Sequence, residues 1–467
     1  MDKNLQINAS SGSSMYTGSY QGEGEPRWQP LIDQPLRSRT LEAVQLLAER
    51  LCEPEKVLAL VEQDKILQIP NGLHWSPPTL LCGFGSLVLL YLYLARNFPG
   101  QGWEDRVDLY LRLAAEDTHQ KPLSQPALFN GSSGLAWLVA LLSQNDTRYQ
   151  KLCSKLNVQV ATQVLMQQWR RATPGVADAD YDVVSGASGI LSTLIATQGQ
   201  QAIVEEAIQK LLIYLVWLAN GEDEQKRKNW FASADLFPLE HIREQYPRGY
   251  FNVGLAHGIP GPLAVLSLAW NAGYRIAGQR EAIEGISRWI IEHHVKDSWG
   301  INWPGVVPLS ASYSAEEWRR LHPARSGWCY GVPGVARSLW LAWTVLKDET
   351  LRDIALESME TVLSRPIDAR NIYSPTLCHG IGGLLTVCLH FAHETKNPII
   401  CEHVPVLVNQ MLSVCSPKYL LGVRDEKTKG KFVDDPGFLT GSTGVALALL
   451  AASTSVAPAW GRVLLIA

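Results

Sequence analysis

The stretch Leu377-Cys378-His379-Gly380-Ile381-Gly382-Gly383-Leu384 passes through a glycine turn and then runs on, apolar, over residues 384–391. The same design occurs seven times, with the turn glycine at Gly83, Gly131, Gly186, Gly258, Gly331, Gly380 and Gly441. Six copies carry a second glycine three residues on, at Gly134, Gly189, Gly261, Gly334, Gly383 and Gly444; the first copy has Ser86 there. A turn-plus-helix unit that returns every 60 residues or so marks a repeat architecture.

Two kinds of helix follow from the pattern between the turns. Residues 135–142, 262–270, 384–391 and 445–451 are apolar on every side, and such helices must be buried on every side. Residues 201–218, 279–294 and 351–363 instead repeat apolar positions at three and four, with Glu, Lys and Arg between. Two alternating helix types predict two concentric layers. The expected fold is all-α: an α/α toroid of about seven inner and seven outer helices with a small inserted lobe. The paired glycines are expected to let neighbouring backbones approach and to free the turns for positive φ. They form no dinucleotide loop, because Val88 stands where Gly83-Phe84-Gly85 needs its third glycine and no strand precedes it.

Composition bounds the rest. With 46% hydrophobic and 18% charged residues, the 467-residue chain can bury a large single core. A net charge of -4 without a basic cluster argues against nucleic acid. Residues 1–27, rich in Ser, Gly, Asn and Gln, read as a flexible tail and not a signal peptide. Residues 28–467 read as the barrel domain, with an insertion at 220–252 and a loop at 299–321 around Trp303-Pro304-Gly305. The longest apolar stretch, 80–95, is too short and too broken by glycine to span a membrane. Eight cysteines without a disulfide-like spacing suggest free thiols or metal ligands.

Residues at one register of a toroid share one end of it. Asp182, His257, Cys329 and the pair Cys378-His379 all lie just before their glycines in four consecutive copies. Two thiols and an imidazole suit Zn²⁺, and three protein ligands leave the open position of catalytic zinc. Buried cysteine is commonly a plain hydrophobe, but the shared register favours ligation by Cys329, Cys378 and His379. His257 and Asp182 read either as helix caps or, beside a metal, as general acid and base. Arg325 is placed to pair with Asp182 or to stabilise an oxyanion, against a bland reading as a surface cation. Cys388, His390 and His393, then Cys401 and His403, fall after the turn and should lie away from the mouth. Cys82 shares the register of His257. Asp178, Asp180 and Asp182 alternate as in a terpene cyclase acid cluster, but no second acidic motif accompanies them.

Ala256-His257-Gly258, Trp328-Cys329-Tyr330-Gly331 and Cys378-His379-Gly380 together resemble the lanthionine synthetase C-like family, over roughly residues 30–467. The resemblance implies an α/α toroid with one zinc per chain, held by Cys329, Cys378 and His379. It makes Asp182 and His257 the acid and base, with Arg325 and Tyr330 beside them, and assigns peptide engagement to the lobe before His257. The implied reaction is a Michael addition. A peptide Cys thiolate held by zinc attacks the β-carbon of dehydroalanine or dehydrobutyrine, giving lanthionine or methyllanthionine rings. His257 then protonates the enolate at the α-carbon, and Asp182 orients His257, pairs with Arg325 or takes the thiol proton. Implied partners are a dehydrated precursor peptide with its leader, a dehydratase and a transporter, in the cytoplasm with peripheral membrane association through those partners. Two rivals share the motifs: an enzyme that adds glutathione to dehydrated proteins, and a non-catalytic thiol-binding or glutathione-binding module. The intact Asp182 and His257 argue against mere binding.

Overall fold

The structure, a computed structural model, describes residues 28–67, 75–171, 175–197, 201–237, 239–309, 324–428 and 430–467. The expected tail at 1–27 and the second half of the loop at 299–321 lie outside these residues. Helices α1 (Gln34–Arg50) and α2 (Pro54–Leu67) come first. Pairs follow: α3 (Phe84–Asn97) with α4 (Trp103–Gln120), and α5 (Ser132–Ser143) with α6 (Gln150–Met166). A single turn, α7 (Asp178–Tyr181), precedes α8 (Ala187–Thr197) and α9 (Ala202–Asn220). The short α10 (Glu240–Gln245) precedes α11 (Pro260–Asn271) and α12 (Gln279–Glu292). The last pairs are α13 (Val332–Leu346) with α14 (Glu349–Ser364) and α15 (Ile381–Thr395) with α16 (Pro398–Val414), followed by α17 (Ser442–Ser453).

The first helix after each glycine turn packs on its counterparts in the neighbouring repeats, and α17 packs on α3 to close the ring. The architecture is therefore an α/α toroid, as expected. Burial separates the layers: every residue of α17 is buried, whereas α12 buries Ala282, Ile283, Ile286, Trp289 and Ile290 and exposes the other face. The seventh outer helix is α1, which covers α17 from the other end of the chain. The barrel centre is filled by the C-terminal segment. Trp460, Leu464 and Ile466 are fully buried there, and Trp328 donates its indole N–H to the carbonyl of Leu464 at 2.9 Å. No helix among the described residues is long and apolar enough to cross a membrane.

The turn glycines act by close approach. Ile381 N–H donates to the carbonyl of Ser374 at 2.9 Å, and a Cβ on Gly380 would stand 2.2 Å from that same oxygen. Ser442 with Asp435, Ser132 with Gln125 and Ile259 with Asn252 repeat the arrangement. The approach loop thus folds back and satisfies the first amide of the inner helix with a backbone carbonyl, in place of a capping side chain. Positive φ, expected generally, is confined to Gly331 among these glycines, at 98°. At the others the backbone is extended wherever its angles are defined, and lack of space demands the glycine.

A second device fixes the loops. Leu81 N–H donates to Phe129 O, Phe129 to Val184, Val183 to Ala256, Ala256 to Cys329, Cys329 to Cys378, Cys378 to Leu439, and Phe438 back to Leu81 O, all at 2.8–3.2 Å. This closed ring of backbone hydrogen bonds joins all seven approach loops at one end of the barrel. Residues that share a register are therefore held side by side.

Short antiparallel strand pairs decorate that end. β1 (Tyr250–Asn252) pairs with β4 (Val306–Pro308), β2 (Val295–Asp297) with β3 (Gly300–Asn302), and β5 (Asp425–Thr428) with β6 (Lys431–Val433). The region 299–309, expected as loop, thus contains strand. It is anchored by Trp303, whose indole donates to Ile290 O at 2.8 Å.

Candidate active site

The site lies where ring neighbours Val183, Ala256, Cys329 and Cys378 follow one another. Asp182 ends α7 with its side chain 2% exposed and divides its two oxygens between two tasks. Oδ1 accepts the amides of Ser185 and Gly186 at 2.7 and 2.8 Å, which caps the turn into α8. Oδ2 stands 2.6 Å from Nδ1 of His257. One oxygen thus caps the turn and the other holds His257. The His257 side chain keeps 41% of its surface open. Burial works to lower its pKa, but the hydrogen bond and charge of Asp182, with Asp178 and Cys329 adding, outweigh it and raise the pKa above the ordinary imidazole value.

Tyr330 follows Cys329 and turns its ring onto Gly254, where a Cβ would meet Cδ1 at 2.5 Å. Its ring centroid is 6.4 Å from that of His257, and its hydroxyl accepts from Asn252 Nδ2 at 3.2 Å. Burial pushes its pKa up, so the phenol stays protonated at neutral pH. Behind it sits a residue whose role the sequence pattern did not reveal. Asp178 accepts from Tyr250 Oη at 2.9 Å and from Asn252 Nδ2 at 2.8 Å, and from Tyr181 Oη at 3.2 Å. Burial raises its pKa to about 6, against the pull of those donors. Asp180 accepts the amide of Ala177 at 2.9 Å, so the three alternating aspartates do three different things. The signal for Asp178 was only its spacing from Asp182; its partners come from β1, 72 and 74 residues away.

On the other side of His257 come the thiols. Cys329 donates its amide to Cys378 O at 3.0 Å, which sets the two thiol-bearing residues side by side. The neighbouring Cys378 side chain lowers the Cys329 pKa below the ordinary thiol value against the opposing effect of burial, with the charges of His379, Arg325 and His257 adding to it. His379 Nε2 lies 3.3 Å from Oδ1 of Asp425, a second residue that the repeat pattern did not single out. Arg325 is exposed at the rim, and among the described residues the ion pair of Asp182 is with His257 and not with Arg325. As the side chains stand, no three His, Cys, Asp or Glu among the described residues are grouped closely enough to hold an ion.

The remaining thiols and imidazoles lie elsewhere. Cys388, His390 and His393 are buried within α15, where His393 stacks on Trp28 at 3.8 Å between ring centroids. Burial pushes the two histidines down to about 3 and about 4 and the Cys388 thiol up to about 12. Cys401 and His403 belong to α16, both half-buried. Cys82 sits in the ring register, its thiol 3.5 Å from Oδ1 of Asp435.

Residues 74–465 match the family model described as lanthionine synthetase C-like protein. The chain is 24% identical over 339 residues to the nisin biosynthesis protein NisC of Lactococcus lactis subsp. lactis, which covers 72% of this chain and 79% of that protein. Its fold is similar to that of nisin cyclase, with a TM-score of 0.70 at 21% identity over 87% of this chain and 96% of that one. With the match spanning nearly the whole barrel and every turn of its repeat, the chain belongs to the lanthionine synthetase C-like family.

Proposed function

We propose that this protein is a zinc-dependent lanthipeptide cyclase that closes thioether rings in a dehydrated precursor peptide. The observation that carries the reading is the adjacency of two chemistries on the backbone ring. The His257–Asp182 pair and the Cys329–Cys378 thiol pair are joined by consecutive links, Ala256 to Cys329 and Cys329 to Cys378. Family membership and the similarity to the nisin biosynthesis protein favour the same chemistry.

The donor set fits zinc. Two thiols on neighbouring links of the ring, one with a depressed pKa, and an adjoining imidazole are the soft and borderline donors that this ion prefers. Cys329, Cys378 and His379 would hold it, one ion per chain. Zinc, when bound, supplies a Lewis acid that keeps a substrate thiol ionised at neutral pH.

The chain's own residues do the rest. Asp182 fixes Nδ1 of His257, which leaves Nε2 on the open side of the ring to handle the travelling proton. Addition of the thiolate to the β-carbon of a dehydroamino acid places negative charge on the adjacent enolate, and protonation at the α-carbon completes the thioether. A histidine whose charged form is favoured by a buried carboxylate is suited to donate that proton at neutral pH. Tyr330, kept neutral, presents a hydroxyl beside the same space, and Arg325 adds positive potential at the rim.

The precursor would arrive with its leader from a dehydratase and pass to a transporter, which puts the work in the cytoplasm, with any membrane association peripheral and made through those partners. We take 220–252 as the inserted lobe that engages the peptide. It buries Trp230, stacks Phe237 on Tyr250 at 4.5 Å and leaves Leu239 exposed. The test is mass spectrometry after incubation with a dehydrated precursor, followed by a thiol-alkylating probe. Loss of free thiols without mass change supports the reading. Persistent alkylation with wild-type enzyme overturns it, and a glutathione adduct on the dehydrated peptide would move the protein to the glutathione-adding class.

A further inference from the structure

The hairpin β5–β6 enters the site from between α16 and α17, far in sequence from the metal-register residues. Its strands pair Asp425 with Val433 and Glu426 with Phe432. The alternation sends Asp425 and Val433 inward and leaves Phe432 exposed. Below the pair, Asp434 accepts the amide of Leu421 at 3.1 Å and Arg424 Nε at 2.8 Å, so the base of the hairpin is fixed. The result is a carboxylate with 0% side-chain exposure held 3.3 Å from His379 Nε2. Removing a carboxylate from water is costly unless a partner compensates. A carboxyl group at this depth needs hydrogen-bonding partners, and His379 is one of them.

We propose that Asp425 is a positioning residue for His379: its carboxylate accepts the Nε2–H and thereby reserves Nδ1 as the ring nitrogen offered to the ion that Cys329 and Cys378 also hold. The proposal rests on the zinc reading above. A histidine ligand has one lone pair to give, and whichever nitrogen carries the proton cannot give it. A carboxylate on that N–H fixes the tautomer, locks the ring rotation and makes the ligand more basic. The hairpin therefore belongs to the metal centre.

The test is competition with a chromogenic chelator, giving the zinc affinity of the wild type, Asp425→Asn, Asp425→Ala and Cys378→Ala, with circular dichroism to verify the fold. Asp425→Ala should bind zinc 10–100-fold more weakly. Asp425→Asn should fall between, because it keeps an acceptor oxygen and loses the charge; it also carries the test should Asp425→Ala not fold. Cobalt(II)-substituted Asp425→Asn should show altered visible bands, a readout that a merely structural role would not move. Unchanged affinity and unchanged cobalt bands in the Asp425 variants, with zinc still lost from Cys378→Ala, overturn this proposal alone. Absence of zinc from the wild type, or full zinc in Cys378→Ala, overturns the zinc reading itself.

Discussion

One repeat contains the same residue types twice, with opposite fates. Cys378 and His379 stand before Gly380; Cys388, His390 and His393 follow it within α15. At the mouth, the Cys378 side chain depresses the pKa of the Cys329 thiol and His379 faces a carboxylate. In the helix body, burial holds Cys388 protonated and both histidines neutral. Neither composition nor local spacing separates the two sets. Position relative to the glycine does, because the backbone ring gathers the approach loops and the inner helices bury whatever follows.

Substitution of the paired cysteines breaks this comparison most sharply. Cys378→Ala or Cys329→Ala should lose stoichiometric zinc and all ring formation, by elemental analysis and mass spectrometry. Cys388→Ala should keep both and lose only packing energy. Zinc loss from Cys388→Ala would show that position relative to the turn does not decide function.

Next in size is His257→Ala, which should keep zinc and the fold while ring formation slows 10²–10⁴-fold, the usual worth of a positioned proton donor. The contrast is His393→Gln, whose ring lies against Trp28 in the interior and should leave the rate alone. A stability loss without a rate loss in His257→Ala would make that histidine a structural element of the turn.

The turn that separates the two sets can itself be stressed. In Gly380→Ala the new methyl meets a backbone carbonyl at 2.2 Å, and forced overpacking of this kind costs about 1–3 kcal/mol. Gly285→Ala is the control. Gly285 lies in α12 with nothing within 4 Å of its Cβ position, so alanine there should stabilise by up to about 1 kcal/mol. Urea unfolding of the two variants should give shifts of opposite sign.

The periodic features were the legible ones. Seven glycines and two helix types dictated two layers, and shared register brought Asp182, His257, Cys329, Cys378 and His379 to one rim. Features that depend on a fold-back were hidden. The need for glycine at Gly380 comes from Ser374 O, which only the folded loop brings near. Asp178 and Asp425 take their meaning from Tyr250, Asn252 and His379, partners 46 to 74 residues away that follow no repeat. The C-terminal plug lacks a repeat signature altogether. The seventh outer helix, α1, lies before the first glycine turn, outside the repeat.

The smallest expected effect concerns protons. His390 and His393 have folded pKa values near 3 and 4, below the unfolded value of about 6.5. A depressed pKa contributes stability that is present above the unfolded value and is lost as pH falls toward the folded one. Asp178 runs the other way: its folded pKa of about 6 exceeds an unfolded value near 3.9. Its contribution is complete below about 3.9 and disappears as pH rises through about 6. Between pH 4.5 and 5.5 the unfolded chain therefore binds two more protons at the histidines and one fewer at Asp178. The three groups together make stability climb with pH by about one proton, roughly 1.4 kcal/mol per pH unit. The double variant His390→Gln/His393→Gln should reverse the slope these groups contribute, and Asp178→Asn should steepen it. Urea unfolding at half-unit pH steps reads both changes. An unchanged slope in the double variant would mean that the interior histidines titrate like exposed ones, and the burial that sets them apart from His379 would lose its chemical consequence.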